Sequence, residues 1–188
     1  MNKTKRKIFE TSMELFARKG YDATSIEEIT ATVGVAKGTL YYHFSSKEEI
    51  FNFLIQEGMK LLTNSIEIKM SKCDNSIDKI RAVILIQVKV LAKYENFISI
   101  LLSQIWGNEQ RNINCKKYVE DYIKVIEKII EEGIKKEEII KVDPSVAASA
   151  IFGLTCSILV YKTNKNTEID IDKTFLEFEK VVIKGLKK

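Results

Sequence analysis

The chain is poor in the residues that enzymes most often recruit. His43 is the single histidine in 188 residues, which removes His-based triads and multi-histidine metal sites. No glycine-rich phosphate loop occurs. Carboxylates are plentiful, but pairs such as Glu131-Glu132 and Glu137-Glu138 sit among lysines at helix-surface spacings, the pattern of a solvated face. Enzymatic activity is therefore not expected, and no motif asks for a cofactor or a metal. Cys73, Cys115 and Cys156 are far apart and lack metal-ligand spacing. They read as reduced thiols; a redox pair is the alternative, and the spacing does not favour it. No apolar run reaches the ~18 residues of a transmembrane helix. The N-terminus is basic and then amphipathic, with Glu10 and Glu14 inside it, so it lacks an apolar signal core. These absences point to a cytoplasmic chain without a membrane partner. Proline is as scarce as histidine: Pro144 stands alone.

What is present is helix. Every long segment carries apolar residues at spacings of three and four, and none alternates as a strand would. Residues 3–19 form a first helix ending at Lys19-Gly20. A long helix runs from Ser46 to about Met70, with Gly58 inside it as either a close-packing point or a flexible one. Helices follow over 77–94, 95–106 and 112–132, the last ending at Gly133. Asp143-Pro144 starts another, since proline suits the first helical position. That helix runs to about Lys162. Asn164 to Thr167 read as a polar loop, and a final helix spans about 170–185.

Residues 24–51, TSIEEITATVGVAKGTLYYHFSSKEEIF, carry most of the functional information. Thr24 and Glu27 have the spacing of a capping box. Ile26, Ile29 and Val33 form one helical face. Gly34 stands where a helix end favours a left-handed residue. The next helix is short, roughly Ala36 to Phe44, with Leu40 and Phe44 as its inward face. Its outward positions are Lys37, Gly38, Thr39, Tyr41, Tyr42 and His43, with no carboxylate among them. A short pinned helix with a cationic, hydroxylated and aromatic outer face suits the major groove of DNA. Net charge is only +4, so placement matters more than the total. Lys3, Lys5, Arg6 and Lys7 precede any acid, as a solvated tail, a phosphate-touching arm, or both.

This stretch resembles the DNA-binding domain of the TetR/AcrR transcriptional regulators. The resemblance includes Ile8, Phe9, Ser12, Leu15 and Phe16 with Gly20-Tyr21, then Gly34 through Phe44, then Lys47 to Ile50. It covers about the first quarter of the chain. Ala36 departs from it, standing where the family often has a capping serine. The resemblance implies that Lys37, Gly38, Thr39, Tyr41, Tyr42 and His43 contact DNA, with Thr24 or Ser25 and Lys47 holding phosphates. It also implies a homodimer formed through the last two helices, and repression rather than activation. The expected architecture is all-α: a three-helix helix-turn-helix head over 1–46, and a helical effector-binding and dimerisation body over 47–188.

Two features of the body agree with that division. Ala147, Ala150, Gly153 and Ser157 form a stripe of small residues, and Ile171, Phe175, Phe178 and Val182 an apolar one. Either stripe serves the protomer's own core or a two-fold four-helix interface; Ala150, Gly153, Ser157, Phe175, Phe178 and Val182 are the interface candidates. Gln87 lies on the face of Ile84 and Leu91, so it is expected to be buried and to need a partner. Tyr94, Phe97, Gln104, Trp106, Tyr122, Phe152 and Thr155 join it as candidate linings of an effector pocket. Aromatics at helical spacing also serve as plain core. The rival to a ligand-responsive regulator, released from a pseudo-palindromic operator by a hydrophobic or amphipathic effector, is a small-molecule carrier with a vestigial DNA-binding head.

Overall fold

The computed structural model describes residues 2–163 and 168–187, so the polar loop expected over 164–167 lies outside the described residues. The helices are α1 (Lys3–Lys19), α2 (Ile26–Val33), α3 (Lys37–His43), α4 (Lys47–Met70), α5 (Ser76–Lys93), α6 (Glu95–Ser103), α7 (Gln110–Lys135), α8 (Pro144–Thr163) and α9 (Ile171–Phe178). A π-helical stretch, Glu179–Ile183, and a last turn, Lys184–Leu186, continue α9. Among the described residues there is no strand, only an isolated bridge between Ile139 and Lys187. Nor is any described helix long and apolar enough to cross a membrane.

The chain forms two compact units. The first comprises residues 1–59 with 96–117, the second 60–95 with 118–188. The unit that holds α1–α3 thus extends past residue 46 and includes a second segment.

In the first unit, Ile8, Leu15 and Phe16 of α1 meet Ile29 and Val33 of α2 and Leu40 of α3 in a common core. Phe51 reaches Phe16 with ring centroids 5.9 Å apart, and Phe53 reaches Phe44 at 5.4 Å. Gly58 is a close-packing point. The Phe97 ring lies so near its backbone that a Cβ there would overlap it.

In the second unit α5 packs against α8 and α9, with Ile80, Val83, Ile84, Val88 and Leu91 buried. Helix α7 does not stop at Gly133. It runs two residues further, to Lys135, and Gly133 is instead buried against Ile139 and Ser76, where a side chain has no room. The chain then reverses through Glu137 at φ 59°.

The π stretch changes the reading of the final helix. Lys184 N donates to Glu179 O, five residues back, so one extra residue enters the turn. Phe178, Val182, Ile183 and Leu186 are all buried, while Leu176 and Val181 are exposed. Phe178 and Val182, expected at an interface, therefore serve the protomer's own core; Phe175 is half-buried. On α8, Ala150, Gly153 and Ser157 are exposed, as are Val146, Leu154 and Tyr161. Leu154, Ser157, Tyr161, Phe178 and Val181 border an open groove of about 820 Å³ between α8 and α9.

Candidate nucleic-acid interface and interior polar cluster

The helix-turn-helix is built from local signals, shifted by one residue from the sequence expectation. Ser25, not Thr24, caps α2: Glu28 N donates to Ser25 Oγ at 3.1 Å. Thr24 is 1 % exposed and turns inward to donate to Gly20 O at 2.8 Å. Glu28 pairs with Lys19. Thr30 is buried, and its hydroxyl is satisfied by the carbonyls of Ile26 and Glu27. Gly34 sits at φ 77°, ψ 39°, the left-handed conformation, and its N–H returns to Thr30 O. Ala36 precedes α3 without a side-chain cap, as its methyl dictates.

Leu40 and Phe44 pin α3, at 0 % and 1 % exposure. Lys37, Gly38, Tyr41 and Tyr42 face outward, while Thr39 and His43 are half-buried. Tyr42 is 84 % exposed and its ring meets His43 edge-on at 5.0 Å. Apart from that contact, the ring is left to water. The outward face is acid-free on α3 itself, but Glu27 of α2 leans across and pairs with Lys37 Nζ at 2.6 Å. That bond lowers the Glu27 carboxyl below its ordinary value and raises Lys37. Both groups lie in solvent, where such a pair contributes little, so a phosphate or base edge can displace Glu27.

Lys47 is not placed to hold a phosphate. Its Nζ donates to Tyr21 O and Thr24 O at 2.8 Å each and to Asp22 O at 3.4 Å. Its three protons are thus committed to the loop between α1 and α2. It also lies 4.3 Å from the centre of the Tyr21 ring, and the Arg111 guanidinium lies at 4.3 Å from the same ring. Arg111 reaches Asp22 at 3.2 Å and Gln104 Oε1 at 2.9 Å, and pairs with Glu109. The basic N-terminus is likewise structural in part. Lys5 stacks over Phe53 at 4.3 Å, and Lys7 donates to Val33 O at the end of α2. Arg111 carried no sequence signal, because Asp22 and the Tyr21 ring are brought near it only by the fold.

The interior candidates divide. Gln87, Tyr122, Phe152 and Thr155 gather in the second unit. Thr155 Oγ1 donates to Gln87 Oε1 at 2.9 Å, and the Tyr122 and Phe152 rings are 5.9 Å apart. Burial pushes the Tyr122 phenol well above its ordinary value; the Gln87 amide offsets part of this. Of the other four candidates, Phe97, Gln104 and Trp106 belong to the first unit and Tyr94 to the second. Trp106 is 88 % exposed. Phe97 packs on Gly58, and Gln104 orders the turn after α6 by accepting from Asn112 and Arg111. Half-buried Tyr94 ends α5, with Lys93 Nζ 5.3 Å from its ring.

Comparison with known proteins places this geometry. Residues 8–54 match the family model "Bacterial regulatory proteins, tetR family", and residues 73–159 match "Tetracyclin repressor-like, C-terminal domain". The chain is 38% identical over 74 residues to IcaR, the HTH-type negative transcriptional regulator of the biofilm operon icaADBC in Staphylococcus aureus. That match covers 39% of this chain and 40% of IcaR. A candidate fatty acid metabolism regulator of Clostridium perfringens is 34% identical, with a TM-score of 0.91 over 95% of this chain and 97% of its own. FadR of Bacillus subtilis, in complex with stearoyl-CoA, shares the fold at 23% identity, with a TM-score of 0.85 over 96% of this chain and 98% of its own. The chain belongs to the tetR family of bacterial regulatory proteins.

Proposed function

We propose that the protein is a ligand-responsive, DNA-binding repressor that acts as a homodimer. The observation that carries this is α3: a helix pinned by Leu40 and Phe44 that offers Lys37, Gly38, Tyr41 and almost wholly exposed Tyr42 outward. Thr39 and His43 border that face, and Ser25 marks the α2 N-terminus, where backbone N–H groups suit a phosphate. Two such helices, related by a two-fold axis, enter successive major grooves of a pseudo-palindrome. The α8–α9 face supplies the dimer contact, through Ala150, Gly153, Ser157, Leu154, Tyr161, Leu176 and Val181. Exposed apolar residues at this density favour cover by a second copy. Repression is supported by the negative regulation named for IcaR. An effector bound in the second unit lowers operator affinity, and the stearoyl-CoA named for FadR supports an apolar ligand.

Footprinting on the DNA upstream of the protein's own gene tests the reading. Protection of two half-sites about one helical turn apart is expected. A folded Lys37→Ala/Tyr42→Ala variant with undiminished operator affinity would refute the assignment of α3.

A further inference from the structure

An ion pair crosses the face that α3 turns outward. Lys37 Nζ donates to Glu27 Oε1 at 2.6 Å, and the two side chains keep 54 % and 66 % of their surface in solvent. A pair that open adds little to the fold, so stability does not explain it. The neighbouring carboxylates have other partners: Glu28 pairs with Lys19, and Glu49 accepts from the N–H and hydroxyl of Ser45. Glu27 sits within reach of whatever Lys37 touches, because the two charged groups are in contact. The pair has no net charge, so it gains nothing from the phosphate backbone. A phosphate that took Lys37 would leave Glu27 facing its negative charge. Neither group is used up by the other: the ammonium has two further protons and the carboxylate further lone pairs.

Building on the reading of α3 as the helix that enters the major groove, we infer that Glu27 and Lys37 act as one specificity-determining unit that reads a C·G base pair. The chemistry selects the pair. In the major groove C·G offers the cytosine N4 amine, a donor, beside guanine O6 and N7, two acceptors. The carboxylate accepts from the amine while the ammonium donates to the guanine, and their mutual hydrogen bond is kept. An A·T pair places its donor between two acceptors and adds the thymine methyl, which meets the charged pair with an apolar group. Glu27, on α2, is thereby a base-reading residue outside the recognition helix. It also restrains the protein on other DNA, because it cancels the pull of Lys37 on phosphates.

The test is selection of binding sites by the full-length protein from a pool of randomised duplexes long enough to hold two half-sites. The wild-type protein should select C·G at one position of each half-site, and T·A there should weaken binding about tenfold. Glu27→Gln should move the preference from cytosine to adenine, since a glutamine amide pairs with adenine N6 and N7. Glu27→Ala should erase it. On a duplex lacking the selected site, both variants should bind more tightly than the wild type. Their slope of log affinity against log salt should be steeper by about one unit per protomer, because Lys37 is released to phosphates. Their thermal midpoints should stay near that of the wild type, as the pair lies in solvent. Unchanged base preference in both variants overturns the inference. So does selection by the wild type of any other base pair at the position the variants alter. An equal loss of affinity for every duplex overturns it too, since that is the mark of a structural role. Failure of the wild type to select any two-fold symmetric sequence would defeat the regulator reading, and this inference with it.

Discussion

Replacing Lys47 with methionine separates two roles that the sequence alone runs together. Methionine keeps most of the stem and removes the ammonium. The structure loses two charged hydrogen bonds at 2.8 Å, a weaker one at 3.4 Å, and a contact 4.3 Å from the Tyr21 ring. Charged hydrogen bonds contribute ~1.5–3 kcal/mol each when buried. Lys47 is half-buried, so water replaces part of the loss, and about 1 kcal/mol for each short bond is the fitting figure. The ring contact adds about 0.5–1 kcal/mol. The sum, about 2.5–3 kcal/mol, lowers the thermal midpoint by roughly 5–12 °C for a protein of this size. Circular dichroism measures that shift. In parallel, operator affinity is measured against salt concentration well below the midpoint. A lysine on a phosphate contributes about one unit to the slope of log affinity against log salt. The slope should be unchanged here, because the ammonium is committed to carbonyls. An unchanged midpoint with a slope flattened by about one would refute this assignment and restore Lys47 to the DNA backbone.

Other substitutions probe other parts. Gly153 has nothing within 4 Å of where a Cβ would stand, so Gly153→Leu should leave the protomer folded yet yield monomers or aggregates by light scattering; an intact dimer would count against the α8–α9 interface. Gly58→Ala drives a methyl into the Phe97 ring and should cost on the order of 1–3 kcal/mol by denaturant titration. Stability should fall in acid. Hydrogen bonds from Ser45, Arg81, Ser76 and Ser145 hold Glu49, Asp78, Glu138 and Asp143 below their ordinary values of 4.5, 3.8, 4.5 and 3.8. Their contribution is complete above those values and disappears as pH falls through the depressed native ones, so the thermal midpoint should drop between pH 5 and pH 3, and less steeply in Asp143→Ala.

The elements were legible because each has its own local signal. Gly34 ends α2 in the expected conformation, and Leu40 with Phe44 turns α3 outward by spacing alone. Thr24 and Ser25 show the limit of such signals. Both can cap a helix, and only the loop geometry, which gives Thr24 a carbonyl at Gly20, decides between them. Lys47 had a sequence position suited to phosphate; its true partners are backbone carbonyls, which no side-chain pattern encodes. The interior cluster was half legible. Gln87 announced itself as a polar residue on an apolar face, but Trp106, Phe97 and Gln104 have the same composition and different surroundings. The apolar stripe of the last helix was legible, since Phe178 and Val182 are buried and Ile171 and Phe175 half-buried; the π turn that also buries Ile183 was not, because periodicity does not count its extra residue.

The non-contiguity of the first unit has a consequence for engineering. A fragment ending at residue 46, or even at 59, would lack Phe97, which covers Gly58, and Arg111, which holds Asp22 and Tyr21. The DNA-reading module is thus not a detachable cassette. Grafting its specificity onto another regulator requires transplanting two stretches of chain together, 1–59 and 96–117. A chimera joined at a single crossover would expose the aromatic surface that Phe97 shields and leave Asp22 without its arginine.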